Sequence, residues 1–247
     1  MQSIQLSQRP EWKEPFLQVI QNGWQRFWVE DPIAKALWEP LLEHFAPFHF
    51  ALVEEKTEEI MAVGLTVPLA WNGENEELLP HGWHWVLQQS LEDWKNGKNG
   101  KTLCAVNAVV VPEFRGRNLA EKVVLEMKKI AAEHGFSRFI APLRPSQKER
   151  YPLMPIEQYQ NWKRPDGWPF DSWLRVQVRL GAKIIGASPR SIVIQATLDE
   201  WSAWTGLLFP FSGDYIVPGA AVPLQVDVEK GVGTLTSPSI WITHEIR

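Results

Sequence analysis

The sequence is poor in cysteine and nearly balanced in charge, and each property excludes a class of protein. Its 247 residues include one cysteine, which excludes an internal disulfide and a multi-cysteine zinc site. The 25 basic and 29 acidic residues give a formal net charge of −4, which argues against broad nucleic-acid binding. No apolar run approaches the length of a membrane span and no signal segment opens the chain, so we expect a cytoplasmic protein.

One stretch in the middle of the chain is the most informative. Residues 104–111 are small or β-branched and almost wholly apolar, which predicts a buried strand that ends at Pro112. From Leu119 the apolar residues recur with helical spacing as far as Gly135. Between the predicted strand and helix, residues 115–120 place backbone N–H groups at a helix start that has no side-chain cap.

Positive charge is concentrated at this predicted helix start. Arg115, Arg117 and Lys122 lie there, where basic side chains are unfavourable unless an anion compensates them. The unpaired N–H groups and the helix dipole attract anions to the same place. The loop therefore predicts a pyrophosphate-binding site.

This stretch resembles the acyl-CoA-binding motif of the GCN5-related N-acetyltransferases. In that family a strand ending in Val-x-Pro is followed by Arg-x-x-Gly-x-Gly/Ala and a long helix, and this chain reads RGRNLA. Asn118 stands where the family usually has glycine; its side chain limits the approach of a phosphate, although Asn tolerates left-handed conformations. The resemblance implies that acetyl-CoA, or another acyl-CoA, is bound by Val109, Val110, Val111, Arg115, Gly116, Arg117, Asn118, Leu119 and Ala120.

The elements before and after the motif follow the order of the same family. Two helices, at 10–28 and from Asp31 onward, are predicted to precede a hairpin of strands at 49–54 and 60–71. The implied fold is α+β, an α/β/α sandwich whose central mixed, mostly antiparallel twisted sheet is flanked by helices. The resemblance also implies that the strand after the motif helix splays from the motif strand, and that the pantetheine arm lies in the gap.

We expect an acyl-CoA-binding domain over residues 1–206 with insertions at 72–101 and 143–170, of which the second is long enough to be functional. A strand within 138–141 is predicted to end at Pro142. A C-terminal β extension at 207–247 is expected on the same domain, either continuing the sheet or forming a small appended element. Its short strands are predicted at 214–217, 222–228, 232–236 and 240–243.

The function implied by the resemblance is direct transfer of an acetyl or other acyl group from acyl-CoA to an amine. The acceptor is a small molecule or a peptide, including bulky or aromatic ones; no metal, nucleic acid or membrane is expected, and a homodimer is one option. The alternative is a non-catalytic acyl-CoA-binding or sensor protein with an aromatic-rich cleft, since the chain has 14 tryptophans. Those expected to flank the cleft are Trp71, Trp83, Trp85, Trp162, Trp168 and Trp173.

The catalytic groups are harder to assign. An acceptor ammonium must lose a proton before it can attack, and the base or water-positioning candidates are Glu54, His84, Asn107 and His81. A backbone N–H near residues 109–111 would hold the oxyanion.

The acid is a further gap. The family often has a tyrosine four residues before a Gly-Phe ending, and here that count from Gly181 gives Gln177, which cannot protonate a thiolate. Tyr151 and Tyr159 are the replacements available in the 143–170 loop. Tyr159 is preferred because it lies in a predicted short helix. The remaining option is a thiolate that leaves without an acid.

Overall fold

One mixed β-sheet runs through the chain. The computed structural model describes residues 1–71 and 73–246. The strands are Gln2–Gln5 (β1), His49–Val53 (β2), Ile60–Leu69 (β3), Thr102–Val110 (β4), Arg138–Leu143 (β5), Lys183–Thr197 (β6), Gly213–Tyr215 (β7), Leu224–Asp227 (β8) and Val232–Glu245 (β9). Their order is β1-β2-β3-β4-β5-β9-β8-β7, with β6 also paired to β9. β4 and β5 are parallel, whereas the neighbouring pairs β3–β4 and β5–β9 are antiparallel.

Helices cover both faces of this sheet. They are Lys13–Asn22 (α1), Arg26–Val29 (α2), Pro32–His44 (α3), Asn75–Leu78 (α4), Trp83–Lys95 (α5), Leu119–Glu133 (α6), Ile156–Tyr159 (α7), Ser172–Arg179 (α8) and Leu198–Thr205 (α9). One face, the α1 face, packs against α1, α3, α5 and α9; the other, the α6 face, packs against α6 and α8. This layering confirms the expected α/β/α sandwich. None of the helices within the described residues has the length and apolar character that a bilayer crossing requires.

β4 and β5 are neighbours only at their first residues. Their register joins Thr102 to Arg138 and Cys104 to Ile140, and goes no further within the described chain. Beyond these residues β4 stays paired with β3, and β5 with β9. The two strands therefore separate toward their carboxyl ends and leave an opening, the β4–β5 gap, as the resemblance implies.

β5 continues through Pro142, although the sequence predicted that the strand would end there. The N–H of Ile246 donates to the C=O of Ser137 at 3.2 Å. Along an antiparallel pair every second residue hydrogen-bonds to the partner strand, and here Ser137 is one of those residues. The backbone groups of residue 142, an odd number of residues later, therefore point away from β9. The missing N–H of Pro142 thus faces the β4–β5 gap, where it costs no ladder bond.

The helix predicted at 10–28 is broken into α1 and α2. A Cβ atom on Gly23 would lie 2.6 Å from Cγ1 of Val109, at the end of β4. The absence of a side chain therefore lets the turn between α1 and α2 lie directly on β4. Periodicity alone did not show this break, because the apolar spacing continues through it.

The C-terminal segment completes the central sheet. The strands predicted at 232–236 and 240–243 are one strand, β9, which lies between β5 and β6. The option of a small appended element is therefore wrong. The sequence also missed β1 and α9.

Candidate active site

The predicted pyrophosphate loop connects β4 to α6. A 3-10 turn follows β4, and then Gly116 and Asn118 have positive φ angles of 81° and 56°. Asn118 precedes the first helical residue, and its side chain makes no capping hydrogen bond. In the described part of the chain, no acceptor receives a hydrogen bond from the backbone N–H groups of residues 116–121. The loop is exposed, so these donors are available to a ligand.

The side chains at this helix start are basic. Arg115 is exposed, and the guanidinium carbon of Arg117 lies 5.0 Å from the centroid of the Phe114 ring. Neither arginine forms an ion pair with a carboxylate of residues 1–71 or 73–246. Uncompensated positive charge beside unpaired N–H groups is an arrangement that binds phosphate.

Asn118 adopts the left-handed conformation that glycine adopts freely. We expect Asn118→Gly to keep or improve CoA affinity, because glycine accepts the same φ and removes the side chain next to the loop. The added backbone entropy of the unfolded chain should cost about a few tenths of a kcal/mol of stability. Calorimetric titration with CoA and thermal unfolding measure the two effects. Loss of CoA binding in a folded variant would instead mean that the Asn118 amide is itself a ligand group.

Backbone groups of β4 point alternately toward β3 and toward the gap. The N–H of Val111 donates to the C=O of Met61 at 2.9 Å, so Val109, two residues earlier, also faces β3. Val110 and Ala108 face the other way, into the β4–β5 gap. Of the three strand residues predicted to hold the thioester, Val110 is therefore the one whose N–H is open to a ligand there.

Aromatic side chains cover the gap on the α1 face. Nε1 of Trp83 donates at 2.6 Å to the C=O of Val106, the extra residue of a β-bulge in β4. The Trp83 ring lies 5.7 Å from Trp24 and 5.8 Å from Trp38, centroid to centroid. Trp24 belongs to the turn between α1 and α2. Trp28 of α2 lies beside it, since both rings contact the guanidinium of Arg144. We call Trp24, Trp28, Trp38 and Trp83 the tryptophan roof.

Four of the six tryptophans predicted to line a pocket pack against different partners. Among the six, Trp83 belongs to the roof, whereas Trp85 stacks on His81 at 4.7 Å and Trp162 stacks on Phe170 at 3.8 Å. Trp71 packs under the guanidinium of Arg138. The roof members that the sequence interpretation missed lie in α2, α3 and the turn after α1; the signal available was the glycine next to Trp24.

Asn107 lies on the roof side of the gap. It is opposite Leu65, which is buried on the α1 face, and opposed residues of a sheet share a face. Its side chain is buried, and Nδ2 has no hydrogen-bond partner within the described chain. The position keeps Asn107 as a candidate for binding a water molecule or the acceptor.

Glu54 and His84 are not placed as bases at the gap. Glu54 lies in the turn after β2, two strands from β4, and accepts a hydrogen bond from the Thr57 hydroxyl at 3.1 Å. Nδ1 of His84 accepts from the N–H of Val193 at 3.4 Å, and Nε2 donates to Oδ2 of Asp31 at 2.5 Å. Both ring nitrogens are therefore engaged in joining α5 to β6 and to the start of α3. No group of three or more His, Cys, Asp or Glu side chains in residues 1–71 and 73–246 is arranged to hold a metal ion.

Tyr159 has a structural partner. Its hydroxyl donates at 2.9 Å to Oδ2 of Asp171, the N-cap of α8, and the side chain is buried. Burial, followed by the charge of Asp171, raises the pKa of Tyr159. A phenol held in this way is a weaker acid, which argues against the role predicted for it. At the position of the family's tyrosine, Oε1 of Gln177 accepts from Nε2 of His244 at 2.9 Å; burial lowers the pKa of this histidine to about 4.

We expect Tyr159→Phe to lower stability and to leave kcat almost unchanged. Removing a hydrogen bond to a buried carboxylate costs about 1.5–3 kcal/mol, which urea unfolding measures. Tyr151→Phe is the matched control, because the Tyr151 hydroxyl makes no hydrogen bond with the described residues, and its unfolding free energy should hardly change. A loss of about 10²-fold or more in kcat without loss of stability would restore Tyr159 as the acid.

Comparisons with known proteins agree with this architecture. No family model matches the sequence. The arginine N-acetyltransferase AvaD of Aspergillus versicolor is 29% identical over 249 residues, covering 90% of this chain and 85% of the relative. The loading GNATL domain of CurA from Lyngbya majuscula has a TM-score of 0.65 at 14% identity, covering 99% of this chain and 97% of that one. The GNAT-like decarboxylase GphF, solved with isobutyryl-CoA, has a TM-score of 0.63 at 14% identity over 100% of both chains. The chain therefore has the GNAT fold that these solved structures share.

Proposed function

We propose that the protein transfers an acetyl or other acyl group from acyl-CoA to the amine of a small-molecule acceptor. The observation that carries the proposal is that the unpaired N–H groups of residues 116–121 lie at the end of β4, the strand that borders the gap. The unpaired N–H groups suit a pyrophosphate, and the strand edge at the gap suits the extended arm of CoA. The similarity to an arginine N-acetyltransferase supports an amine as the acceptor.

The residues at the gap fit the arm of CoA. On the β4 edge the backbone groups of Val110 are free of the ladder with β3, and on the β5 edge the C=O of Pro142 faces away from β9. An extended ligand that carries amide groups could therefore hydrogen-bond to both edges. The complex of GphF with isobutyryl-CoA is consistent with an acyl-CoA site in this fold.

Acyl-CoA supplies an acyl group activated as a thioester. The N–H of Val110 would donate a hydrogen bond to the carbonyl oxygen as negative charge develops there. Asn107, whose buried Nδ2 has no partner in the described chain, would orient a water that receives the proton of the acceptor ammonium, whose pKa near 10.4 otherwise keeps it charged. Because Tyr159 and Gln177 are engaged elsewhere, neither would supply a proton to the thiolate, which leaves either unaided or with Tyr151 as the acid.

Binding without transfer is the second candidate. It is favoured by the engagement of both His84 nitrogens and by the distance of Glu54 from the gap. The fold alone does not decide, since the similar structures include a decarboxylase.

The deciding experiment measures thiol release from acetyl-CoA against a panel of amines, alongside calorimetric titration with CoA. We expect release that depends on the amine and exceeds hydrolysis in its absence. CoA binding with no amine-dependent release would favour the binding protein. Absence of CoA binding would overturn both candidates.

A further inference from the structure

Arg144 is a cation at the mouth of the gap that lacks an anionic partner. It directly follows β5 and is half-buried. Its guanidinium carbon lies 5.2 Å from the ring centroid of Trp24 and 4.6 Å from that of Trp28. No residue of the described chain forms an ion pair with it or accepts a hydrogen bond from it. Burial lowers the pKa of Arg144 to about 10, partly offset by the charge of Glu149, and the group stays charged at neutral pH.

Three buried serines carry hydroxyls without a partner on the same side of the sheet. Ser188, Ser237 and Ser239 are each at most 1% exposed, and no Oγ atom among them has a hydrogen-bond partner in residues 1–71 and 73–246. Ser188 and Ser239 are directly opposed between β6 and β9. Ser237 and Ser239 alternate along β9 in step with Trp241, which is buried on the α1 face. The three hydroxyls therefore share the α1 face.

Extending the register of β5 and β9 by one residue brings Arg144 next to these serines. Leu143 is paired with Ile240, so the register continued by one residue sets Arg144 opposite Ser239. The indole N–H of Trp28, a ring that the guanidinium covers, is also buried without an acceptor in the described residues. A buried hydrogen-bond donor without an acceptor lowers the stability of the protein unless a ligand or a water molecule accepts its hydrogen bond. All of these groups can donate, so the complementary ligand is an anion with several acceptor oxygens.

We propose that Arg144, with Ser188, Ser237 and Ser239, binds the carboxylate of the acceptor, so that the acceptor is an amino acid. A guanidinium and several hydroxyls match a carboxylate, which has two oxygens and about four acceptor sites. A carboxylate held on the β5 side leaves the neighbouring amine to reach toward β4, where Val110 and Asn107 lie. This proposal rests on the proposed function and names its class of acceptor.

The test compares arginine with agmatine, the same amine without its carboxylate, in thiol release from acetyl-CoA. We expect Arg144→Met to lower kcat/KM for arginine by about 10- to 100-fold and to change that for agmatine by less than about threefold. For each acceptor, kcat/KM of the variant is divided by kcat/KM of the unmodified protein. The difference in basicity between the two amines then cancels. Arg179→Met is the matched control, because Arg179 also covers a tryptophan ring, that of Trp168, and should change neither acceptor.

Ser239→Ala separates a binding role from a structural one. If the hydroxyl binds the carboxylate, kcat/KM for arginine should fall about 3- to 10-fold while that for agmatine stays constant. Since the hydroxyl has no partner within the described protein, its removal should not lower the melting temperature. Equal effects of Arg144→Met on both acceptors would overturn the proposal.

A failure of the proposed acyl transfer can be distinguished from a failure of the carboxylate subsite. If no amine is turned over, calorimetry with arginine and agmatine in the presence of CoA tests the subsite directly. Arginine binding that is lost in Arg144→Met would support the carboxylate subsite in a protein that is not a transferase. Absence of arginine binding, or binding unaffected by Arg144→Met, would overturn it.

Discussion

Val110→Pro should lower kcat for acyl transfer by about 10²–10³-fold, the loss typical for removal of one oxyanion donor. Proline deletes the N–H that faces the β4–β5 gap. That N–H takes no part in the ladder with β3, so the substitution should leave the sheet paired. The preceding residue is already in a strand, the conformation that proline favours for it.

One control variant and two measurements isolate the N–H from other effects of the proline. Val110→Ala shortens the same side chain but keeps the N–H, and its kcat should stay close to that of the unmodified protein. Circular dichroism and calorimetric titration with CoA then show whether Val110→Pro is folded and still binds. A folded, CoA-binding Val110→Pro protein with unchanged kcat would remove Val110 from the mechanism.

Arg115→Glu should weaken CoA binding by about 2 kcal/mol or more, roughly 30-fold in Kd. The exposed guanidinium has no carboxylate partner in the described chain, so its charge is available to a pyrophosphate. Glutamate places a like charge against the ligand. Calorimetric titration measures the loss, and Arg179→Glu on α8 makes the same change of charge away from the loop. Equal affinities for Arg115→Glu and Arg179→Glu would show that charge at residue 115 is not part of the site.

The geometry of the loop at residues 115–120 could be predicted from the sequence because its features are local. Consecutive residues supply the strand end, the N–H groups and the basic side chains. The left-handed conformation of Asn118 follows from a residue type that tolerates it. Such properties need no knowledge of distant contacts.

The proposed acceptor side could not be predicted in the same way, because it joins residues that are far apart in the chain. The roof brings Trp24 to Trp83, and the proposed carboxylate subsite brings Arg144 to Ser239. These neighbours depend on β9 entering the sheet beside β5 and on the turn at Gly23 lying against β4. Periodicity gives the elements but not their order in the sheet. It therefore could not show which tryptophans lie at the gap: of those selected from the sequence Trp83 does, whereas Trp85 and Trp162 stack on His81 and Phe170.

A crystal structure with bound CoA tests the central claim most directly. We expect the pyrophosphate on the N–H groups of residues 116–121 and the pantetheine arm between Val110 and Pro142, with its sulfur at the gap below the tryptophan roof. CoA bound elsewhere on the protein, or an arm that runs outside the β4–β5 gap, would contradict the account.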